Sequence, residues 1–162
     1  MIRPEQRAAL RRLYNFRCGY CGVSEVDSGA ELTVDHFQPR SQGGTDAVGN
    51  LVYCCHACNE YKGNYYQPET LERILHPLRD NLSEHILEQE DGTLYALTPT
   101  GAFHIFHIAQ LRLNRPTLIA HRLVERQLQL ARQELLALRQ RLAELRREEE
   151  EVRRQEEDLG RT

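Results

Sequence analysis

The sequence predicts an α+β fold in three segments, and three observations carry that expectation. Two short apolar runs, LTVDH at 32–36 and NLVY at 50–53, lie between two Cys-x-x-Cys pairs and read as strands. A further stretch, HILEQ-EDG-TLYAL, reads as a β-hairpin with Asp91-Gly92 in its turn. From Pro116 onward the chain has no glycine or proline until Gly160, which predicts one long helix. The segments are a cysteine-bearing module at 1–66, a connector at 67–113 and the helical tract at 114–162.

The elements follow in chain order. Pro4 precedes EQRAALRRLY, where Ala8, Leu10, Leu13 and Tyr14 fall near helical spacing, and proline suits a first helical turn. RCGYCG is a tight turn between two cysteines. After the first strand, FQPRSQGGTDAVG is dense in turn residues and reads as a loop. CCHACNEYKG reads as a turn entering a short helix, with Gly63 placed to end it. Over 102–111, FHIFHI alternates like a strand, but Phe103, Phe106 and Gln110 favour a helix.

Composition narrows the function. The chain has 162 residues, 40% apolar and 28% charged, which suits one compact domain with an appendage. A net charge of -3 excludes a uniformly basic nucleic-acid coat but leaves room for a local patch. Residues 1–66 carry 7 basic and 7 acidic side chains, 67–113 carry 3 and 7, and 114–162 carry 11 and 10. No apolar run is long enough for a membrane span. MIRPEQRAALRR lacks the apolar core of a signal peptide, so a reducing, cytoplasmic setting is expected. In such a setting, five cysteines point to metal ligation rather than disulfides.

The cysteine spacing points to the metal. Cys18-x-x-Cys21 and Cys55-x-x-Cys58 are two knuckles, and zinc takes four tetrahedral thiolate or imidazole ligands. A structural Zn2+ on these four is expected, with something folded in the long gap between the pairs. Cys54 is the odd cysteine and reads as a core thiol. His56 is an alternative fourth ligand.

Between the knuckles sit Asp35-His36 at a strand end, Asn50 before the next strand, and Asn59 just after the last cysteine. Phosphodiester hydrolysis needs an activated water, a cation at the developing charge and fixed geometry. His36 is the candidate general base, since imidazole can take a proton near neutral pH. Asp35 and Asn59 offer oxygen ligands to a divalent cation, Mg2+ or Mn2+. Asn50 can hold the imidazole or bridge the loop. Arg40, Lys62 and Arg17 are candidate phosphate contacts, which would fix register but not sequence. Neighbours on a strand point to opposite faces, so the strand must end or twist at Asp35-His36 for both to serve one phosphate.

The segment LTVDHFQPRSQGGTDAVGNLVYCCHACNEYKG resembles the HNH endonuclease motif of the His-Me finger, or ββα-metal, superfamily. Asp35-His36, Pro39 through Gly44, Asn50-Leu51 and Cys55-x-x-Cys58-Asn59-x-x-Lys62-Gly63 carry the resemblance, over about residues 3–66. It implies a ββα-metal module, cation ligation by Asp35 and Asn59, base catalysis by His36 and orientation by Asn50. It also implies DNA as partner, cut to 5′-phosphate and 3′-hydroxyl ends. HPLRDN and LTPTG resemble a tail that follows this class of motif and carry no assigned chemistry. The rival reading is a non-catalytic zinc module that binds nucleic acid or protein.

The last tract has a seam. Leu128, Leu135 and Leu142 recur every seven residues, as do Val124, Ala131, Leu138, Leu145 and Val152 in the companion position. That is an a/d heptad pattern and predicts a homodimer through residues 117–158. Glu149 falls on the seam near its end. The rival is one amphipathic helix packing back on its own chain, and a third reading makes the coiled coil the main function.

Overall fold

In the computed structural model, which describes residues 2–107 and 113–159 with side chains through Glu156, the chain forms two compact units, 1–122 and 123–162. Helix α1 (Pro4–Leu13) starts on its proline and buries Leu10. It packs on the strand Leu51–Cys54, placing Leu10 and Tyr14 in a core with Leu32, Leu51, Val52, Tyr53 and Cys54. Asn15 and Phe16 then take positive φ and turn the chain sharply into the first cysteine knuckle.

A short helix α2 (Glu25–Ser28) follows the knuckle and was not expected. Its signal is present in the sequence: the Ser24 hydroxyl accepts from the Asp27 amide at 3.1 Å, and the Asp27 carboxylate answers the Ser24 backbone. The Glu25 carboxylate then takes two hydrogen bonds from the Arg11 guanidinium, both at 2.8 Å, fastening the turn to α1.

Strand β1 (Thr33–His36) pairs antiparallel with β2 (Leu51–Cys54), Asp35 opposite Val52 and His36 opposite Leu51. Helix α3 (His56–Lys62) packs on β1 and ends at Gly63, whose φ of 53° lies in the left-handed region. This β-β-α arrangement is consistent with an HNH fold. The intervening loop holds two single helical turns, Arg40–Gln42 and Val48–Asn50. Gly44 is required there: a Cβ would stand 1.7 Å from the Gln38 carbonyl oxygen.

The expected hairpin is strands β3 (Ile86–Glu88) and β4 (Leu94–Ala96), with Gly92 at positive φ in the turn. Helix α4 (Pro99–His107) begins under a Thr98 cap, whose hydroxyl accepts from the Gly101 amide. The expected helix over 102–111 therefore holds through His107, and residues 108–111 lie outside the described ones. Ile74 from the connector joins the core around β2. The connector's HPLRDN is a polar turn: the Asp80 carboxylate accepts from Arg73 and from the His76 amide.

Helix α5 (Pro116–Leu159) has 44 residues, about 66 Å at the usual rise. Within the first unit its opening turns bury Leu118 beside Leu113, and Arg122 donates to the carbonyls of Leu113 and Gly92. In the second unit Leu128, Leu135, Leu142 and Leu145 are about half exposed. Among the described residues, no helix is long and apolar enough to cross a membrane.

Candidate active site and metal centre

The two knuckles converge. The sulfurs of Cys18, Cys21, Cys55 and Cys58 all lie within 4.8 Å of one another, with Cys21 and Cys55 at 3.8 Å. Four sulfurs about 2.3 Å from a tetrahedral ion stand roughly 3.8 Å apart, so this donor set fits zinc. All four are free thiols and at least half-buried. Hydrogen bonds inside the quartet, from Cys21 to Cys18 and from Cys18 to Cys55 above all, pull Cys18 and Cys55 toward thiolate. Hydrogen bonds within the quartet push the Cys21 and Cys58 thiols up. Backbone amides brace the turns: Cys58 N–H points at the Cys55 sulfur, and Gly19 N–H donates to the Tyr53 carbonyl. Cys54 is fully buried in the core, where burial pushes its thiol up. His56 is exposed and stands outside the quartet.

Beside the knuckles, the end of β1 and the face of α3 enclose a cleft of about 430 Å³. Asp35, His36 and Asn59 line it, with Arg40, Ser41 and Asn64. Asp35 and His36 both belong to β1, and the pairing runs one residue past it, the Phe37 amide donating to the Asn50 carbonyl.

Asp35 is buried on its inner side. Its carboxylate accepts from the Tyr20 hydroxyl at 2.7 Å and pairs with Lys62 Nζ at 3.0 Å. Burial and the facing carboxylate push the Tyr20 phenol well up, which keeps it a donor. Lys62 is therefore not an exposed basic contact. Its ammonium is enclosed by Asp35 and the carbonyls of His36 and Gly63. Arg17 sits on the first knuckle, donating to the Gly22 carbonyl, and does not line the cleft. Arg40 does line it.

His36 meets a residue the sequence did not single out. Its Nε2 lies 2.7 Å from Asp46 Oδ1, and Arg40 Nη2 donates to both Asp46 oxygens at 2.5 and 2.7 Å. The His36 hydrogen bond and the Arg40 guanidinium together lower the Asp46 carboxyl to about 2. Asn50 bridges the loop and not the imidazole. Its Oδ1 accepts from the Gln38 amide at 2.8 Å, and its Nδ2 donates to the carbonyls of Gln38 and Thr45.

Residues 18–65 match the HNH endonuclease family model. The chain is also similar to the CRISPR-associated endonuclease Cas9 of Corynebacterium diphtheriae, with 47% identity over 51 residues. That match takes in 31% of this chain and 4% of the relative, so the chain spans only a small part of that protein's length. No solved structure matches.

Proposed function

We propose that this chain, which carries an HNH endonuclease domain at residues 18–65, is a metal-dependent nuclease that hydrolyses DNA phosphodiester bonds. The observation that carries the reading is the cleft that gathers Asp35, His36 and Asn59 at the β1–α3 junction. The His36 imidazole takes the proton of the attacking water. Asp35 and Asn59 offer the carboxylate and carbonyl oxygens that suit Mg2+ or Mn2+. Bound there, the cation would supply charge stabilisation at the phosphate and at the leaving 3′ oxygen. Lys62 and Tyr20 fix the Asp35 carboxylate from its buried side. Arg40 at the cleft's edge reads as a phosphate contact. Zinc on the cysteine quartet ties the first knuckle to the start of α3 and so sets the position of Asn59. The balanced charge of residues 1–66 gives only moderate nonspecific affinity, which a homodimer through 117–158 would raise by presenting two modules to one duplex. The cysteine usage suits a reducing, cytoplasmic setting.

One observation favours the non-catalytic reading: Asp35 is already satisfied by Tyr20 and Lys62, as a purely structural carboxylate would be. Plasmid cleavage by the pure protein separates the two. With added Mg2+ or Mn2+ the protein is expected to nick supercoiled DNA. His36→Ala should lower that rate by roughly 10² to 10⁴ with the fold intact. Asp35→Ala and Asn59→Ala should each raise the cation concentration needed for half-maximal cleavage. Undiminished cleavage by folded His36→Ala would remove the base from this scheme. No cleavage under any metal would leave the binding module.

A further inference from the structure

We propose that Asp46 is the positioning residue of His36: it fixes the imidazole's orientation and makes Nε2 the protonated nitrogen, leaving Nδ1 as the basic one. The functional meaning rests on the reading of His36 as general base, whereas the tautomer itself does not.

A carboxylate with both oxygens engaged can only accept, so the 2.7 Å contact from His36 Nε2 to Asp46 Oδ1 requires a proton on Nε2. Arg40 Nε also stands 3.2 Å from Nε2. A nitrogen that donates in its ring plane cannot also accept there, and a guanidinium is never an acceptor. The shorter, charge-assisted contact therefore assigns the proton, and Arg40 Nε is a neighbour of the ring and not its donor. Through Nη2, Arg40 also acts on the carboxylate: that nitrogen reaches both Asp46 oxygens and holds the plane that faces the imidazole.

The backbone around Asp46 is pinned from three sides. Gln6 on α1 donates to the Asp46 carbonyl at 3.1 Å. Asn50 Nδ2 donates to the Thr45 carbonyl at 2.9 Å. The Gly44 amide donates to the Pro39 carbonyl at 3.0 Å, at a site where any Cβ would strike the Gln38 carbonyl. A side chain as short as aspartate, on a loop held this firmly, fixes its partner's position closely. Asn50 thereby acts on the imidazole at one remove, through the loop that carries Asp46. This is the arrangement by which outer carboxylates select a histidine tautomer in other sites.

The test uses the full chain with zinc bound. Long-range 1H–15N correlation, at a pH where the ring is neutral, reads the tautomer of His36, with its signals identified by their loss in His36→Gln. The parent should show the Nε2–H form. Asp46→Asn keeps the volume but offers an amide N–H, so the Nδ1–H form should grow. Asp46→Glu should keep the parent tautomer, restoring the acceptor at the cost of one methylene of misplacement. In plasmid cleavage, Asp46→Asn should lower kcat by about 10- to 100-fold with KM for DNA little changed. Asp46→Ala serves where Asn repacks, with circular dichroism and zinc content reporting the fold. An unchanged tautomer in both Asn and Ala variants overturns the proposal, as does a kcat within twofold of an active parent. A parent that does not cut, or a His36→Ala variant that cuts normally, removes the nuclease reading while the tautomer measurement still decides the dyad.

Discussion

Lys62 and Asp35 form a buried ion pair behind the cleft, Nζ to Oδ2 at 3.0 Å, with side chains 0% and 7% exposed. The pair joins the last turn of α3 to the end of β1, so it fixes the spacing between Asn59 and His36. Burying two charges costs more than their attraction returns unless the remaining donors and acceptors are met. Here Tyr20 and two backbone carbonyls meet them.

Removing one partner leaves the other uncompensated. Lys62→Met should therefore destabilise the fold by about 3–5 kcal/mol in the absence of divalent cations. If Asp35 ligates the catalytic cation, Mg2+ or Mn2+ takes over part of that compensation. Chemical denaturation should then show added cation recovering more stability in Lys62→Met than in the parent. Equal cation effects on both proteins would place the ligand away from Asp35.

The two metals should separate by affinity. Mild EDTA is expected to abolish cleavage and leave zinc bound, with activity returning on added Mg2+ or Mn2+. Cys18→Ser or Cys58→Ser should instead unfold the module, because a structural zinc contributes on the order of 10 kcal/mol of folding energy. Elemental analysis and circular dichroism on the same samples check both halves. Folded protein without zinc would count against the quartet as a structural site.

Legibility in the sequence followed the range of the interaction. The cysteine knuckles and the end of α3 at Gly63 are local patterns, and they stand where their spacing predicts. The β1–β2 pair was readable because both strands are short apolar runs bounded by turn residues. Asp46 was not, since nothing in the spacing of two polar loop residues says which one faces His36. Its placement depends on Gly44 meeting Gln38 and on Gln6 reaching across from α1. Lys62 failed differently. Near the end of α3 it reads as a solvent-facing phosphate contact, and only the approach of Asp35, 27 residues earlier, offsets the cost of burying it. Helix α2 was signalled by Ser24-x-x-Asp27 but is a single turn without apolar periodicity.

Acid should weaken the first unit through His104. The ring is fully buried, its Nδ1 accepts from the Leu75 amide at 3.0 Å, and burial pushes its pKa down to about 4 from 6.5. A base whose pKa is lowered by folding stabilises the protein while neutral. That contribution is complete above 6.5 and is lost as the pH falls toward 4. The linkage amounts to about 3 kcal/mol. Denaturant midpoints measured across this window should fall for the parent. His104→Asn, whose amide oxygen can accept the Leu75 bond, should start less stable but show a flatter profile. Identical slopes would assign the acid sensitivity elsewhere.

The long helix should make a parallel homodimer. Its seam residues Leu128, Leu135, Leu142 and Leu145 stay about half exposed in a single chain, an apolar stripe that a second copy would cover. Flanking charges choose the direction. With Leu128 at position a, every e position from 132 to 153 is arginine: Arg132, Arg139, Arg146 and Arg153. An antiparallel pair sets e against e′, so arginine meets arginine wherever these four positions oppose one another, and only Glu125, one heptad earlier, offers an attractive e partner. In the parallel arrangement g meets the following e′. Glu134 then attracts Arg139 and Glu148 attracts Arg153, while Arg141 opposes Arg146 and Gln127 is neutral toward Arg132. Each exposed pair is worth only about 0.2–1 kcal/mol, so direction rests on the sum of the row and not on one contact. Light scattering at micromolar concentration should find a dimer for the parent and a monomer for Leu135→Gln/Leu142→Gln. The cut for a shortened chain belongs after Arg122, because Leu118 and Arg122 are built into the first unit. Changing Arg141 to Glu should tighten a parallel dimer by removing its one repulsive pair. An antiparallel dimer would not gain through Arg146, because there g meets g′ and no e position. A monomeric parent would reject the seam as an interface. A dimer indifferent to Arg141→Glu would reject the parallel register.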